Sequence, residues 1–198
     1  MPKKTKYDAN FTAGGLLFTE FKALETILLS SNFKELIKKE EEQNKVIGIA
    51  TNSSRKRIIS EIKRRYDQVN ADFWNHFFQW SDYEQKLGLF YLCLKTYPLV
   101  LDIHIEVALK KFKMGSSMDA YDIQMRMEEI MSYDDEVANW SEKTFYKMNT
   151  QYRKVLKDVG MYNGKKLNRP EKASLMLWSY FKQINGQWFL KACFIENI

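Results

Sequence analysis

Glycine and proline are scarce in this chain, and this scarcity limits the available folds more than any other feature. The 198 residues include 8 glycines and 3 prolines, too few for the frequent turns of an all-β protein. Apolar residues instead recur at helical spacing along most of the sequence. The sequence therefore predicts an all-α, mainly helical fold.

The same spacing divides the chain into separate helices. We expect helices at about 14–31, 33–43, 53–70, 71–80, 82–97, 99–114, 119–133, 141–159 and 170–184. Residues 161–170 read as a turn or a short two-stranded wing, and QWFLKACFI near the C-terminus as a strand or a last helix. The Gly-Ser-Ser stretch at 115–117 is the best candidate for a domain boundary.

That boundary predicts two small helical lobes with helix-turn-helix-like elements. Residues 1–115 would form an N-terminal helical domain that contains the basic helix 53–70. Residues 116–198 would form a C-terminal, winged-helix-like domain that contains the basic helix 141–159.

Cysteine use and hydropathy indicate a cytoplasmic protein. Cys93 and Cys193 lie in apolar runs, as buried free thiols do in a reducing compartment. The most apolar window, residues 87–103, contains Lys95 and Pro98 and is too short and interrupted for a membrane span. No secretory signal is recognisable near the N-terminus. We therefore expect no membrane association.

Charge is unevenly distributed along the chain. Residues 1–70 hold 14 basic and 9 acidic side chains, and residues 140–198 hold 11 and 4. Residues 116–139 hold 1 and 7, within an overall net charge of +6. Two basic blocks that flank a neutral and an acidic segment favour a polyanionic partner.

The first basic helix separates apolar from cationic residues. Its core-facing stripe consists of Ile58, Ile59, Ile62, Tyr66 and Val69. The opposite side carries Lys56, Arg57, Ser60, Lys63 and Arg64. Arg65 flanks the stripe and Glu61 lies at the edge of the cationic face. Small hydrogen-bonding residues such as Ser53 and Ser54 begin the helix and suit contact with a phosphate.

The second basic helix repeats this design. Its apolar stripe consists of Phe145, Met148, Tyr152, Val155, Leu156 and Val159, opposite Lys143, Lys147, Thr150, Lys154 and Lys157. The GKKLNRP turn that follows would add a basic wing through Lys165 and Lys166. Lysine acts mainly as a point charge, so this helix favours phosphate contact over base reading.

DNA binding needs cations that displace condensed counterions and a helix that fits the major groove. We expect DNA contacts from Ser53, Ser54, Arg55, Lys56, Arg57, Ser60, Lys63, Arg64, Arg65, Lys143, Lys147, Thr150, Lys154, Lys157, Lys165 and Lys166. Two alternatives stay open: ordinary solvated helix faces, and a surface that docks an acidic protein. Arg55, Arg57, Arg64 and Arg65 are the better candidates for a base edge.

No pattern typical of an enzyme accompanies these helices. His76 and His104 are the two histidines, each inside an apolar helix, and neither CxxC nor HxxxH spacing occurs. Phosphate-cradling GxxxxGK[ST] and nucleophilic GxSxG strings are also absent from the sequence. We therefore predict no catalytic residue, no metal, no cofactor and no small-molecule substrate.

Three stretches carry a family resemblance. YDANFTAGGLL at 7–17 followed by Glu20, the segment TNSSRKRIISEIKRRYD at 51–67, and SEKTFYKMNTQYRKVLKDVGM at 141–161 together resemble the BrxA family of BREX phage-defence systems. The resemblance implies a mostly helical cytoplasmic protein that binds double-stranded DNA without catalysis. It also implies other BREX subunits as partners, which makes an assembly adaptor the main alternative function.

Overall fold

A computed structural model describes residues 7–196, and the all-α prediction is confirmed. Over this range the regular structure is helical, with a single isolated β-bridge and no strand. The first half comprises a 3₁₀ helix (Asn10–Ala13), α1 (Phe18–Ala23), α2 (Glu25–Leu28), α3 (Phe33–Gln43), α4 (Asn52–Tyr66), α5 (Ala71–Phe77) and α6 (Asp82–Thr96).

The second half begins with one long interrupted helix, which consists of α7 (Pro98–Ile103), a π-helical segment (His104–Leu109) and α8 (Lys110–Lys113). The helices that follow are α9 (Ala120–Met131), α10 (Asp135–Ala138), α11 (Glu142–Asp158), α12 (Leu175–Gln183) and α13 (Gln187–Ala192). The QWFLKACFI segment is thus a last helix. The helix expected at 14–31 is shorter and divided in two, with Leu17 in the left-handed conformation just before α1.

Local sequence explains several helix ends. Ser81 and Glu84 form a capping box at the start of α6. Pro98 stands at the first position of α7, where its missing N–H is not needed. Gly160 adopts φ +71° after α11, and a Cβ there would lie 2.8 Å from the Tyr83 hydroxyl. Only glycine therefore fits this turn without displacing Tyr83.

One hydrophobic cluster runs from Tyr7 to Phe194 and includes residues on both sides of residue 115. Helix α6 lies at its centre, with Leu87, Phe90 and Leu94 almost fully buried. Phe181 of α12 packs against Tyr91 of α6 at a ring separation of 4.9 Å. The division into 1–115 and 116–198 remains a prediction about folding units, and the two stretches share this core.

The expected wing forms a turn rather than a pair of strands. Tyr162 and Leu167 make the isolated antiparallel bridge. Between them, Asn163 Oδ1 accepts hydrogen bonds from the amides of Lys165 and Lys166. This side-chain oxygen satisfies the backbone amides within the turn, so the segment does not need a longer ladder of hydrogen bonds between strands.

The core also accommodates the two thiols. Cys93 and Cys193 are both buried and free, as expected. Within residues 7–196, no helix is long and apolar enough to cross a membrane. The predicted break at Pro98 interrupts the most apolar window.

Candidate nucleic-acid interface

The 3₁₀ helix Asn10–Ala13 packs against both α4 and α11. On the α4 side, Arg57 donates a hydrogen bond of 2.9 Å to the Thr12 hydroxyl. On the α11 side, Gly15 has φ +59° and lies so close to Gln151 that a side chain would clash. The two basic helices are thereby held on either side of the same short segment.

The outer face of α11 is open to solvent. Five residues predicted to contact DNA are exposed on it: Lys143, Lys147, Thr150, Lys154 and Lys157. At a rise of 1.5 Å per residue, the lysines span about 21 Å along the helix. We call these four lysines the α11 row.

Few carboxylates oppose this row. Lys154 Nζ lies 4.0 Å from an Asp158 oxygen, at the outer limit of an ion pair. Among the described residues, Lys143, Lys147 and Lys157 have no ion-pair partner. The charge of these side chains is therefore screened mainly by water and salt, and remains available to a polyanion.

The turn after α11 extends the row. Lys165 and Lys166 are both exposed in it. Lys157 Nζ lies 5.9 Å from the centre of the Tyr162 ring, at the base of the turn. A Cβ at Gly164 would lie 3.9 Å from the same nitrogen. The turn thus stands beside the C-terminal end of the α11 row and adds two cations to it.

The inner face of α11 is anchored by neutral groups. Met148, Tyr152, Val155 and Leu156 are fully buried. The Tyr152 hydroxyl bonds to His104 Nδ1 at 2.9 Å, while His104 Nε2 lies 2.7 Å from the Ala192 carbonyl oxygen. Burial lowers the pKa of His104 to about 4, so the ring is neutral at pH 7. Nε2 then carries the proton and donates it to the carbonyl. His104 is a satisfied core residue, as its sequence context indicated.

Helix α4 presents a smaller cationic surface. The exposed residues among those predicted to contact DNA are Ser53, Ser54, Lys56, Arg57 and Ser60. Thr51 caps the helix by accepting from the Ser54 amide. Arg55 is half-buried, and it donates to the carbonyls of Glu41 and Ile49. Its guanidinium holds the loop before α4 in place.

Two further cations of α4 are paired with carboxylates. Lys63 Nζ lies 2.9 Å from Glu41 of α3. Arg64 donates to Asp8 at 2.6 Å, and this hydrogen bond raises the pKa of Arg64. Both side chains are about one-third exposed. A phosphate approaching this part of α4 would meet the carboxylates as well as the cations.

Arg65 lies in the interior, which corrects its predicted place in the interface. Its side chain is completely buried and donates to the Tyr97 hydroxyl and to the Leu16 carbonyl, each at 2.9 Å. The Tyr97 hydroxyl in turn donates to Glu61 at 2.6 Å. Glu61 is also buried. Its carboxylate accepts this bond inside the protein and does not lie on the cationic face. Arg65 thus joins α4 to α6 and to the turn before α1.

One exposed aromatic side chain was missed from sequence. Tyr146 is 72% exposed and lies one residue before Lys147. On a helical wheel it falls between the α11 row and the apolar stripe. That position could have identified it, since a tyrosine outside the apolar stripe is expected to face solvent.

The described part of the chain offers no group of three or more His, Cys, Asp or Glu residues that could hold a metal ion. His76 is half-buried near Asp72 of the same helix. The interface consists of cations, hydroxyls and helix termini, which are the groups that contact nucleic-acid backbones.

Comparison with known proteins gives the family. The BrxA family model matches residues 5–177. A protein named "BREX protein BrxA" from Bacillus cereus (strain H3081.97) is 30% identical over 173 residues, which cover 85% of each chain. The crystal structure of an uncharacterized protein from Magnetospirillum magneticum superposes with a TM-score of 0.80 at 20% identity, over 95% of this chain and 98% of that one.

The structural match shows the shared fold, and the sequence matches show the relationship. The two sequence matches confirm the resemblance to the BrxA family that residues 7–17, 51–67 and 141–161 carry. The chain belongs to the BrxA family of BREX phage-defence components.

Proposed function

We propose that this BREX component binds double-stranded DNA through the phosphate backbone and has no catalytic activity of its own. The main contact is the α11 row together with Lys165 and Lys166 of the following turn. The exposed start of α4 supplies a second contact. The proposed setting is the cytoplasm, with DNA and other BREX subunits as partners and without a membrane, cofactor or small-molecule substrate.

The observation that carries this proposal is the nearly carboxylate-free line of cations on the outer face of α11. Duplex DNA presents one negative charge per about 1.7 Å of its axis. A row of about 21 Å therefore faces many phosphates whichever way the helix crosses the duplex. Lysines at one-turn and two-turn intervals can each reach a different phosphate, and Thr150 adds a hydrogen-bonding hydroxyl between them.

The contribution of α4 is narrower. Lys56 and Arg57 are its exposed cations, and Ser53 and Ser54 stand in its first turn beside the open backbone amides. Such a helix start accepts a phosphate oxygen. Ser60 extends this surface by two turns, while Lys63 and Arg64 reach DNA only where their carboxylate partners are displaced.

The test is binding to unrelated duplex DNAs across a salt series, followed by fluorescence anisotropy. Eight cations, four from the α11 row, two from the turn and two from α4, predict a log-log slope of roughly −7 that is similar for all sequences. A Lys143→Gln/Lys147→Gln/Lys154→Gln/Lys157→Gln variant should bring that slope to about −4.

A matched control keeps the number of removed charges the same. Lys34, Lys38, Lys39 and Lys45 are exposed residues on or near α3, and their simultaneous change to Gln should leave the slope within about one of the wild-type value. Equal loss in both variants would show that net charge, and not the α11 row, determines binding. No binding of the folded wild-type protein at low salt would refute the proposal.

The alternative is an assembly adaptor whose basic faces dock an acidic surface of another BREX subunit. The solvent-exposed α11 row favours this function equally, because lysines act as point charges toward carboxylates and phosphates alike. A pull-down of BREX subunits that survives nuclease treatment and is lost in the α11 variant would support the adaptor.

A further inference from the structure

A groove between α9 and α11 lies beside the α11 row but opens in a different direction. Its volume is about 650 Å³. Met127 and Met131 of α9 line one wall, and Phe145 and Tyr146 of α11 line the other. Trp140, between α10 and α11, closes one end.

The two helices run antiparallel and are joined at the other end. There Asn149 Nδ2 donates to the Ala120 carbonyl at 2.7 Å, and Arg153 donates to Asn149 Oδ1. Near the Met131 end, the Trp140 and Phe145 rings pack edge to face at 5.8 Å. The wall from Ala120 to Met131 is about 16 Å long, which matches about three turns of a helix.

The lining is more apolar than an ordinary surface. Met131 is 41% exposed and Tyr146 is 72% exposed, while Trp140 and Phe145 are half-buried. Methionines adapt to different side chains and aromatics contribute strongly at protein interfaces. Exposed apolar residues gathered in one groove indicate a binding surface, whereas scattered ones do not.

Acidic side chains stand on both rims of the groove. Glu128 lies on the α9 rim and Glu142 on the α11 rim. Within residues 7–196 neither carboxylate has an ion-pair partner, whereas Glu129 on the far side of α9 is paired with Arg126. Asp135 and Glu136 of nearby α10 are exposed as well. Against the single guanidinium of Arg153, which also lines the groove, these carboxylates favour a basic ligand over DNA.

We propose that this groove binds an amphipathic helix of another protein, one with large apolar side chains on one face and lysines or arginines beside them. The apolar anchors fill the methionine and aromatic floor, and the basic residues pair with Glu128 and Glu142. Helices bind in apolar grooves in this way through anchors at one-turn intervals. Since the α11 row points elsewhere, DNA and this helix can occupy the protein together.

The test uses a synthetic helical peptide of about 14 residues made of Leu, Lys and Ala, with the leucines at i, i+4, i+7 and i+11. An isomer of the same composition has its leucines spread around the helix. Binding is followed through the methyl NMR signals of the methionines. We expect the ordered peptide to bind at least about 10-fold tighter than its isomer, with shifts at Met127 and Met131 but none at Met114.

Two charge-reversal variants sharpen the result. Glu128→Lys/Glu142→Lys should weaken binding of the ordered peptide at least about 10-fold. Glu25→Lys/Glu42→Lys changes the net charge equally at exposed residues outside the groove and should leave its affinity within about 2-fold. The methionine spectrum shows that each variant is folded.

Four results would overturn the proposal. One is equal binding of the two peptides, and another is unchanged Met127 and Met131 signals. The third is a wild-type dimer that Glu128→Lys/Glu142→Lys dissociates, because a second copy would then fill the groove. Shifts at these methionines on adding DNA would likewise assign the groove to nucleic acid. Failure of DNA binding itself leaves the peptide result unaffected.

Discussion

Helices α4 and α11 have similar charge but use it differently. Helix α4 carries six lysines and arginines and α11 carries five. In α4, one arginine is buried, two cations are paired with carboxylates and one holds a loop. In α11, the four lysines of the row all project into solvent.

Distant residues cause this difference. Glu41 reaches Lys63 from 22 positions earlier, and Asp8 reaches Arg64 from 56 positions earlier. The carboxylates of α11 itself are Glu142 and Asp158, and Asp158 reaches Lys154 only at 4.0 Å. We therefore expect a cationic helix face to attract a polyanion best where the fold brings few carboxylates to it.

The largest expected effect is on stability and concerns the buried cation of α4. Arg65→Met would leave the buried Glu61 with Arg64, at 4.0 Å, as its remaining positive neighbour and would leave the Leu16 carbonyl without its donor. We expect a loss of about 3–5 kcal/mol in the free energy of unfolding, measured by urea denaturation. Lys56→Met, at an exposed position, should stay within about 0.5 kcal/mol of wild type. Equal small losses would place Arg65 at the surface.

The second prediction concerns the anchor of α11. His104 has a folded-state pKa of about 4, below the unfolded value of roughly 6.5. Between these values the unfolded chain binds a proton that the folded chain does not. This stability is therefore complete above pH 6.5 and is lost as pH falls toward 4. From pH 7 to pH 5 the loss should be about 2 kcal/mol.

His104→Gln isolates this contribution. An amide can accept from Tyr152 and donate to the Ala192 carbonyl, but it does not titrate. By urea denaturation, the free energy of unfolding should fall between pH 7 and pH 5 by about 2 kcal/mol less in this variant than in wild type. An identical pH dependence in both proteins would contradict the neutral buried ring.

The third prediction compares DNA affinity between the helices. Lys147→Gln/Lys154→Gln should make the salt slope less steep by about 2 and weaken binding at least about 10-fold at moderate salt. Lys56→Gln/Arg57→Gln removes the same charge from α4 and should have a smaller effect on both. Anisotropy across a salt series measures both. The reverse order would make α4 the main contact.

The smallest effect comes from releasing a cation of α4. Asp8→Asn removes the carboxylate from Arg64 while an amide oxygen can still accept from the Asn10 amide. We expect DNA affinity to rise about 2–3-fold at low salt, since one exposed ion pair contributes little. A rise above about 10-fold would mean that Arg64 faces DNA directly, and the contrast between the helices would then disappear.

Local sequence predicted the fold class and most helices. Periodicity placed α3, α6 and α11 within a few residues, and Pro98 marked the break between α6 and α7. The helix expected at 14–31 was wrong in detail, because α1 begins only at Phe18, after a turn in which the Leu16 carbonyl accepts a hydrogen bond from Arg65, 49 residues away. A helical wheel contains no information on such a contact.

Some residues of the candidate site were placed correctly and others were not, again because a helical wheel does not show contacts between distant residues. Lys143, Lys147, Lys154 and Lys157 are exposed where their helical positions put them. Arg65 was misplaced, since an arginine at the edge of an apolar stripe can reach either solvent or an internal acceptor. The groove was also missed: its lining comes from α9, α11 and Trp140 between α10 and α11, and the way separate helices pack is not visible in the helical wheel of any one of them.

The position of the 3₁₀ helix between α4 and α11 constrains the order of events during synthesis. Gly15 cannot find its place beside Gln151 until 136 further residues have been made. At 5–20 residues per second the ribosome needs on the order of 10 s for this stretch. During that interval the 3₁₀ helix can pack against α4 but lacks the cover that α11 gives it, although its Phe11 is fully buried in the finished protein. Residues 7–17, which carry part of the family resemblance, thus complete their packing late. A chaperone that shields them would act before α11 emerges.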